Sequence, residues 1–111
     1  MKDLQAIWWA GVRACLPERV VPPHLPEPPL GRTFVLALGK AAVPMARAVE
    51  SHWPGGLTGL AVTRYGSAEP LSRIEVLEAA HPVPDAASVD AAQRLLSLAD
   101  GGRPAGRWGR E

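Results

Sequence analysis

The chain has 111 residues, of which 47% are apolar and 21% charged, and its formal net charge is +1. These values are ordinary for one globular domain and give no electrostatic case for nucleic acid or an anionic membrane as the main partner. The single cysteine, Cys15, excludes an internal disulfide framework and a cysteine-based zinc site.

Targeting and metal signals are missing from the sequence. No apolar run approaches the roughly 20 residues that a membrane span requires, and the N-terminus lacks the charged start and cleavage site of a signal peptide. His24 and His52 have no second ligand at metal spacing. We therefore expect a cytoplasmic protein with no membrane contact, and we assign no metal site.

The chain begins with an amphipathic segment and a proline-rich segment. Residues 2–16 repeat apolar side chains at helical spacing, which predicts a helix that packs Trp8 against a sheet and buries the Cys15 thiol. Residues 17–31 contain six of the twelve prolines. We expect an irregular, extended connector there, because the segment is too rich in proline for a helix.

The rest of the chain alternates strand and helix patterns. The periodicity predicts, in order, a strand at 33–38, a helix at 41–52, strands at 57–63 and 73–77, and a helix at 89–99 with Asp85 or Ser88 as its cap. Strand, helix and strand with short links predict a parallel βαβ unit.

These elements predict an α/β fold. We expect a Rossmann-like three-layer sandwich with a mostly parallel sheet, incomplete, with about three strands and three helices. Residues 1–100 form this domain in our interpretation. Residues 101–111 lose all periodicity and predict a disordered or frameshifted tail.

The junction of the first strand with its helix is a candidate anion site. Gly39 follows five apolar residues, and Lys40 stands in the first turn of an alanine-rich helix. Helix N-termini concentrate unpaired N–H groups and positive dipole charge, which suits a phosphate or carboxylate. A P-loop is excluded because its pattern needs glycine at Phe34 and a hydroxyl residue at Ala41. The alternative interpretation of Lys40 is a solvated surface lysine.

Two further loops carry candidate residues. Arg64 follows the second strand, in the crevice where open α/β sheets bind ligands, although a loop arginine is often simply exposed. His81 and Asp85 stand at either end of a proline-stiffened loop. They could form an acid–base pair or one edge of a pocket. Alternatively, His81 bonds the neighbouring backbone and Asp85 caps the next helix.

Three ordered segments resemble one family. Residues 39–47 (GKAAVPMAR), 59–66 (GLAVTRYG) and 78–85 (EAAHPVPD) are similar to the N-terminal part of the class II glycerate kinases, the MOFRL family. The likeness covers roughly residues 3 to 100 in order and without gaps. It is specific because the three motifs occur at family-like spacing.

The resemblance implies an activity and its residues. The activity is ATP-dependent phosphorylation of the 2-hydroxyl of D-glycerate, with Mg²⁺, to give 2-phosphoglycerate. The resemblance makes Lys40 the catalytic residue, and it carries Gly39, Arg64, His81 and Asp85 over as substrate- or phosphate-binding candidates. Phosphoryl transfer depends mostly on positioning and charge neutralisation, and a lysine at a helix N-terminus supplies both.

The sequence also departs from that family. Members are several-fold longer, and their next strand and Gly/Ser-rich loop have no counterpart in residues 101–111. We therefore expect a truncated N-terminal portion that lacks its C-terminal partner region and is inactive alone. One alternative is a non-catalytic anion- or nucleotide-binding module. Another is a hydroxypyruvate reductase, a name given to some members, although no dinucleotide fingerprint follows Gly39.

Overall fold

Three strands and four helices form the part of the chain that the computed structural model describes, residues 2–101. The helices are α1 (Lys2–Ala14), α2 (Pro17–Val20), α3 (Ala42–His52) and α4 (Ala86–Ala99). The strands are β1 (Phe34–Leu38), β2 (Thr58–Arg64) and β3 (Ile74–Ala79). The sequence-predicted tail lies outside the described residues from position 102 onward.

The strands form one sheet in the order β1-β2-β3, and both pairs are parallel. Leu36 lies opposite Leu60, and Leu60 lies opposite Glu75. Helix α3 connects β1 to β2, as the βαβ prediction requires. The expected α/β class and parallel sheet are confirmed.

The link from β2 to β3 has no helix. Its two ends are held by side chains instead. The Gly66 N–H donates to the Glu78 carboxylate. At the other end the Glu50 carboxylate accepts from the Ser72 and Arg73 N–H groups, each at 2.9 Å. A short link can therefore return the chain to the start of the next parallel strand.

The core lies between α3 and one face of the sheet. Its buried cluster consists of Ala42, Ala46, Trp53, Leu57, Ala61 and Ile74. The small alanines let α3 approach the sheet closely. Gly59 lets β1 and β2 approach as well, because a Cβ there would lie 3.1 Å from the Val35 side chain and closer still to its carbonyl oxygen.

Helix α4 covers the opposite face only in part. Its Ala91 and Leu95 are buried. On the edge strand β1, by contrast, Leu36 and Leu38 remain 38% and 65% exposed. Helices lie on both faces of the sheet, as predicted, but the β1 edge of the α4 face is open to solvent.

Two predictions for the N-terminal helix are wrong. Helix α1 has no buried residue, and Trp8 is 61% exposed rather than packed against the sheet. Cys15 is exposed rather than buried. Helical spacing identifies the residues that share a face, but it does not identify what covers that face.

The connector prediction is also wrong in part. Residues 17–20 form α2 and Pro22–His24 form a 3₁₀ turn. Both begin with proline in the first helical positions, where its missing N–H has no intrahelical acceptor to lose. Only the following residues run as an extended connector to β1.

No helix within residues 2–101 is both long enough and apolar enough to cross a lipid bilayer.

Candidate functional site

A cleft of about 210 Å³ lies at the carboxyl ends of the three strands. The strand ends form one wall and α4 forms the other. Its polar or flexible lining residues are Gly39, Lys40, Thr63, Arg64, His81 and Ser88. The structure thus brings four of the five sequence-predicted site residues, all except Asp85, to one cleft.

Lys40 lies in the turn from β1 into α3, two residues before the helix begins, and not in its first turn as predicted. Gly39 has a φ of +109°, a conformation that side chains rarely adopt, and its N–H donates to the Val62 carbonyl at 3.0 Å. Ala41 is the N-cap of α3 and supplies no side-chain cap. The positive end of this helix therefore meets the cleft without a protein anion on its cap.

Two cationic side chains stand at neighbouring strand ends. Lys40 and Arg64 are both exposed and both line the cleft. Among residues 2–101 the ion pairs are Arg47–Glu69 and Arg94–Glu75. The charges of Lys40 and Arg64 are thus unpaired by any carboxylate in the described part of the chain, and together they favour an anionic ligand.

Asp85 has a structural position at the start of α4. It forms a capping box with Ser88, in which Asp85 Oδ1 accepts from the Ser88 N–H at 3.0 Å. Its other oxygen accepts from the Tyr65 hydroxyl at 2.6 Å. The prediction that Asp85 or Ser88 caps this helix is confirmed for Asp85. Its predicted role in substrate binding stays a prediction.

Hydrogen bonding perturbs both members of the Tyr65–Asp85 pair. The bond from Tyr65, with bonds from Ala80 and Ser88, lowers the pKa of Asp85 from 3.8 to about 2. The same bond raises the pKa of Tyr65. Asp85 is thus ionised near neutral pH. Its hydrogen bonds join the end of β2 to the loop that carries His81.

His81 is exposed and lines the cleft two residues after the end of β3. No carboxylate bonds its ring within residues 2–101, since the Asp85 oxygens are directed to Tyr65, Ala80 and Ser88. The structure therefore brings His81 to the cleft but does not form the His81–Asp85 acid–base pair.

The sequence interpretation missed Thr63. This residue is 3% exposed, and its Oγ1 has no hydrogen-bond partner among the described residues. It stands one position before Arg64 at the end of β2. The signal available in the sequence was a polar residue that ends the apolar run Leu60-Ala61-Val62.

The residues present suit a phosphate or carboxylate better than a bare metal ion. Residues 2–101 contain no group of three or more His, Cys, Asp or Glu side chains that could hold a metal. The free polar groups of the cleft are mainly cationic, and Arg and Lys are the usual protein partners of phosphate and carboxylate oxygens.

Comparisons with known proteins give the family. Residues 3–105 match the family described as "Domain of unknown function (DUF4147)". A protein of Agrobacterium vitis with the provisional name of hydroxypyruvate reductase is 46% identical over 99 residues, 88% of this chain and 23% of that protein. The D-glycerate 2-kinase of Thermotoga maritima is 38% identical over 91 residues, 80% of this chain and 22% of that protein.

The comparison with solved structures gives similar proteins. The crystal structure of a glycerate kinase from Thermotoga maritima matches with a TM-score of 0.75 and 34% identity, over 88% of this chain and 25% of that chain. The chain thus spans about a quarter of the length of the relatives that it matches. It belongs to the DUF4147 family and is similar to the N-terminal region of glycerate 2-kinases.

Proposed function

We propose that this chain forms the anion-binding part of a glycerate 2-kinase active site. The full reaction transfers a phosphoryl group from ATP to the 2-hydroxyl of D-glycerate and gives 2-phosphoglycerate. Relatives named glycerate 2-kinase support this reaction class. The observation that carries the proposal is the pair of exposed cations, Lys40 and Arg64, at adjacent strand ends of one cleft.

The position of Lys40 supports a role in phosphoryl transfer. The transferred group carries negative charge on its equatorial oxygens, and catalysis depends on positioning and charge stabilisation rather than on covalent chemistry by the protein. Lys40 stands beside an uncapped helix N-terminus. We assign Lys40 Nζ to the phosphate, beside the positive end of the α3 dipole and with Gly39 allowing close approach of the backbone.

Arg64 suits the other anionic group of the substrate. Glycerate carries a carboxylate, and a guanidinium binds carboxylates with two parallel N–H···O bonds. His81, at the neighbouring strand end, lies within the same cleft and can bond a substrate hydroxyl. In this assignment Asp85 acts indirectly, by fixing the loop that carries His81.

ATP and Mg²⁺ belong to this proposal as cofactors of the whole reaction. ATP supplies the phosphoryl group, and the cationic lining of the cleft fits its phosphates. Mg²⁺ is usually bound through one or two carboxylates together with substrate phosphates. Within residues 2–101, the ATP part of the proposal rests on Lys40 and on the positive end of the α3 dipole.

The reductase name of some relatives is the second candidate function. A dinucleotide-binding turn needs further glycines after the first one, at close backbone approach to the pyrophosphate. Here Gly39 is followed by alanine at 41 and proline at 44. The turn therefore favours a phosphate held by Lys40 over a dinucleotide, and the kinase is the function that we propose.

Binding of 2-phosphoglycerate to the 111-residue chain tests the proposal. We expect its addition to shift the backbone amide NMR signals of Gly39, Lys40 and Ala42. Lys40→Met should weaken the binding at least tenfold, because it removes the charge at the helix N-terminus. Titrations with D-glycerate and ATP would then separate the carboxylate contact from the phosphate contact.

The sequence offers a matched control. Lys2 is the other lysine of the chain and lies in α1. Lys2→Met makes the same change of charge away from the cleft, so it should leave the affinity unchanged. Equal loss of affinity in both variants, or unchanged affinity in Lys40→Met, would contradict the assignment of Lys40.

A further inference from the structure

The buried hydroxyl of Thr63 has no structural partner. Thr63 is 3% exposed, and no group within residues 2–101 forms a hydrogen bond with its Oγ1. Most buried polar side-chain atoms in folded proteins are hydrogen-bonded, so an exception needs an explanation. Valine has nearly the same shape and a similar preference for strands, without the polar atom. The packing of the described residues therefore gives no reason for a hydroxyl at this position.

Thr63 lies on the face of the sheet that α3 covers. Side chains alternate between the two faces along β2, so Thr63 shares a face with Ala61. Ala61 packs with Ala42 and Ala46 of α3 in the buried core cluster. Thr63 is two residues nearer the carboxyl end of β2, and Ala42 is the first residue of α3. The hydroxyl therefore lies towards the N-terminus of α3.

The turn that precedes α3 passes beside Thr63. The Gly39 N–H donates to the carbonyl of Val62, the residue before Thr63, at 3.0 Å. Residues 39–41 of this turn are exposed, and α3 has no side-chain cap. Thr63 lines the cleft together with Gly39 and Lys40. A buried hydroxyl without a partner, a lysine and the positive end of a helix dipole thus occur together, and all three suit an anionic oxygen.

We propose that the Thr63 hydroxyl is a further phosphate-binding group of this cleft and donates to an oxygen of the phosphate that Lys40 binds. The inference rests on the proposed function and adds a residue to it. Because Oγ1 is buried, the contact requires the exposed turn at residues 39–41 to shift when the phosphate binds. Gly39 gives this turn the backbone freedom to do so.

The position of Thr63 also determines which part of the ligand it contacts. Arg64 follows Thr63 along β2, so its side chain leaves the opposite face of the sheet. The proposed function assigns the ligand carboxylate to Arg64 and the phosphate to Lys40. Thr63 lies on the α3 side with the phosphate, so its hydroxyl contributes to the binding of 2-phosphoglycerate but not to that of D-glycerate.

Titrations of the full 111-residue chain with 2-phosphoglycerate and with D-glycerate, followed by NMR, test the contact. Thr63→Val should raise the Kd for 2-phosphoglycerate by about tenfold or more, because it removes a hydrogen bond to a charged oxygen. The same variant should leave the Kd for D-glycerate unchanged. Thr63→Ser keeps the hydroxyl and should bind 2-phosphoglycerate almost as tightly as the wild type. A merely structural role would not distinguish serine from valine in this way.

Thr58→Val is the matched control. It makes the same substitution at an exposed residue at the other end of β2, so it should change neither Kd. Circular dichroism should show that all variants remain folded. If Lys40→Met weakens the binding of 2-phosphoglycerate and Thr63→Val does not, this inference is overturned and the proposed function stands.

Two further outcomes are decisive. Equal losses of affinity in Thr63→Val and Thr63→Ser would overturn the inference, because the hydroxyl would then not be the group that binds. A wild-type chain without affinity for 2-phosphoglycerate would overturn both the inference and the proposed function.

Discussion

Asp85 illustrates how one carboxylate is fixed by its neighbours. Its oxygens accept hydrogen bonds from the Tyr65 hydroxyl, the Ser88 N–H and the Ala80 N–H. The folded pKa of about 2 lies below the ordinary value of 3.8. A carboxylate with a lowered pKa stabilises the fold above its unfolded pKa, and this contribution is lost as the pH falls from about 4 through about 2.

Removal of the Tyr65 hydroxyl should reverse this shift. In Tyr65→Phe we expect the Asp85 pKa to rise towards 3.8 and the acid-unfolding midpoint to move to higher pH, because the largest cause of the shift is lost. Carboxyl-carbon NMR titration measures the pKa directly. Ser88→Ala removes a smaller cause and should produce a smaller rise. An unchanged Asp85 titration in Tyr65→Phe would contradict the contact.

Thr63 is a second residue whose hydroxyl has an effect on stability that a single substitution can measure. A buried hydroxyl without a partner destabilises a fold by about 1–3 kcal/mol relative to a satisfied one. Valine has nearly the same shape without the polar atom. The wild-type chain thus carries a local penalty directly beside the cleft.

Thr63→Val should therefore raise the free energy of unfolding, by about 1 kcal/mol. Urea denaturation followed by circular dichroism measures the change. Thr58, at the other end of β2, is exposed, and Thr58→Val should change the stability by less than about 0.5 kcal/mol. A clear loss of stability in Thr63→Val would mean that its hydroxyl has a partner after all.

At the scale of elements, the contact between β1 and β2 depends on one glycine. A side chain at Gly59 would collide with the backbone of Val35 on the neighbouring strand. Both residues belong to the paired region of the sheet, where Val35 lies opposite Gly59. The collision cannot be relieved by rotating a flexible side chain.

Gly59→Ala should therefore destabilise the fold by about 1–3 kcal/mol, the usual range for overpacking. The loss of stability is measured as a lower urea midpoint. Gly56→Ala provides the control, since a Cβ there meets nothing within 4 Å and the backbone is not left-handed. Equal behaviour of the two variants would show that β1 and β2 can separate at little cost.

The sequence predicted the βαβ unit well because its signals are local. Apolar runs for β1 and β2 and the alanine-rich α3 between them need no knowledge of the remaining chain. Prediction was wrong where the outcome depended on tertiary contacts. Trp8 and Cys15 share a helical stripe, but only the arrangement of α1 relative to the sheet determines their exposure.

In the candidate site, too, some residues could be predicted from local sequence signals and others depended on tertiary contacts. Gly39, Lys40 and Arg64 could be predicted because the carboxyl ends of parallel strands meet at one edge of the sheet. Thr63 was missed, since an unsatisfied hydroxyl can be recognised only from the contacts around it. The Tyr65–Asp85 bond was missed for the same reason, because it joins residues 20 positions apart.

At the scale of the whole molecule, the cleft is open. Its volume of about 210 Å³ is below the roughly 300–1,000 Å³ of most ligand pockets, and Lys40, Arg64 and His81 are all exposed. Phosphoryl transfer to a hydroxyl competes with transfer to water, so kinases close their sites around the reactants. An open half-site can bind an anion without excluding water from it.

We therefore expect the purified 111-residue chain to bind 2-phosphoglycerate but to release no ADP in a D-glycerate-dependent manner. A coupled assay for ADP measures the rate, with the Thermotoga glycerate kinase as the positive control and the Lys40→Met variant as the blank. Binding without turnover is what one wall of a larger site would give. A glycerate-dependent rate that Lys40→Met abolishes would instead show that the strand ends, α3 and α4 suffice to position both reactants and exclude water.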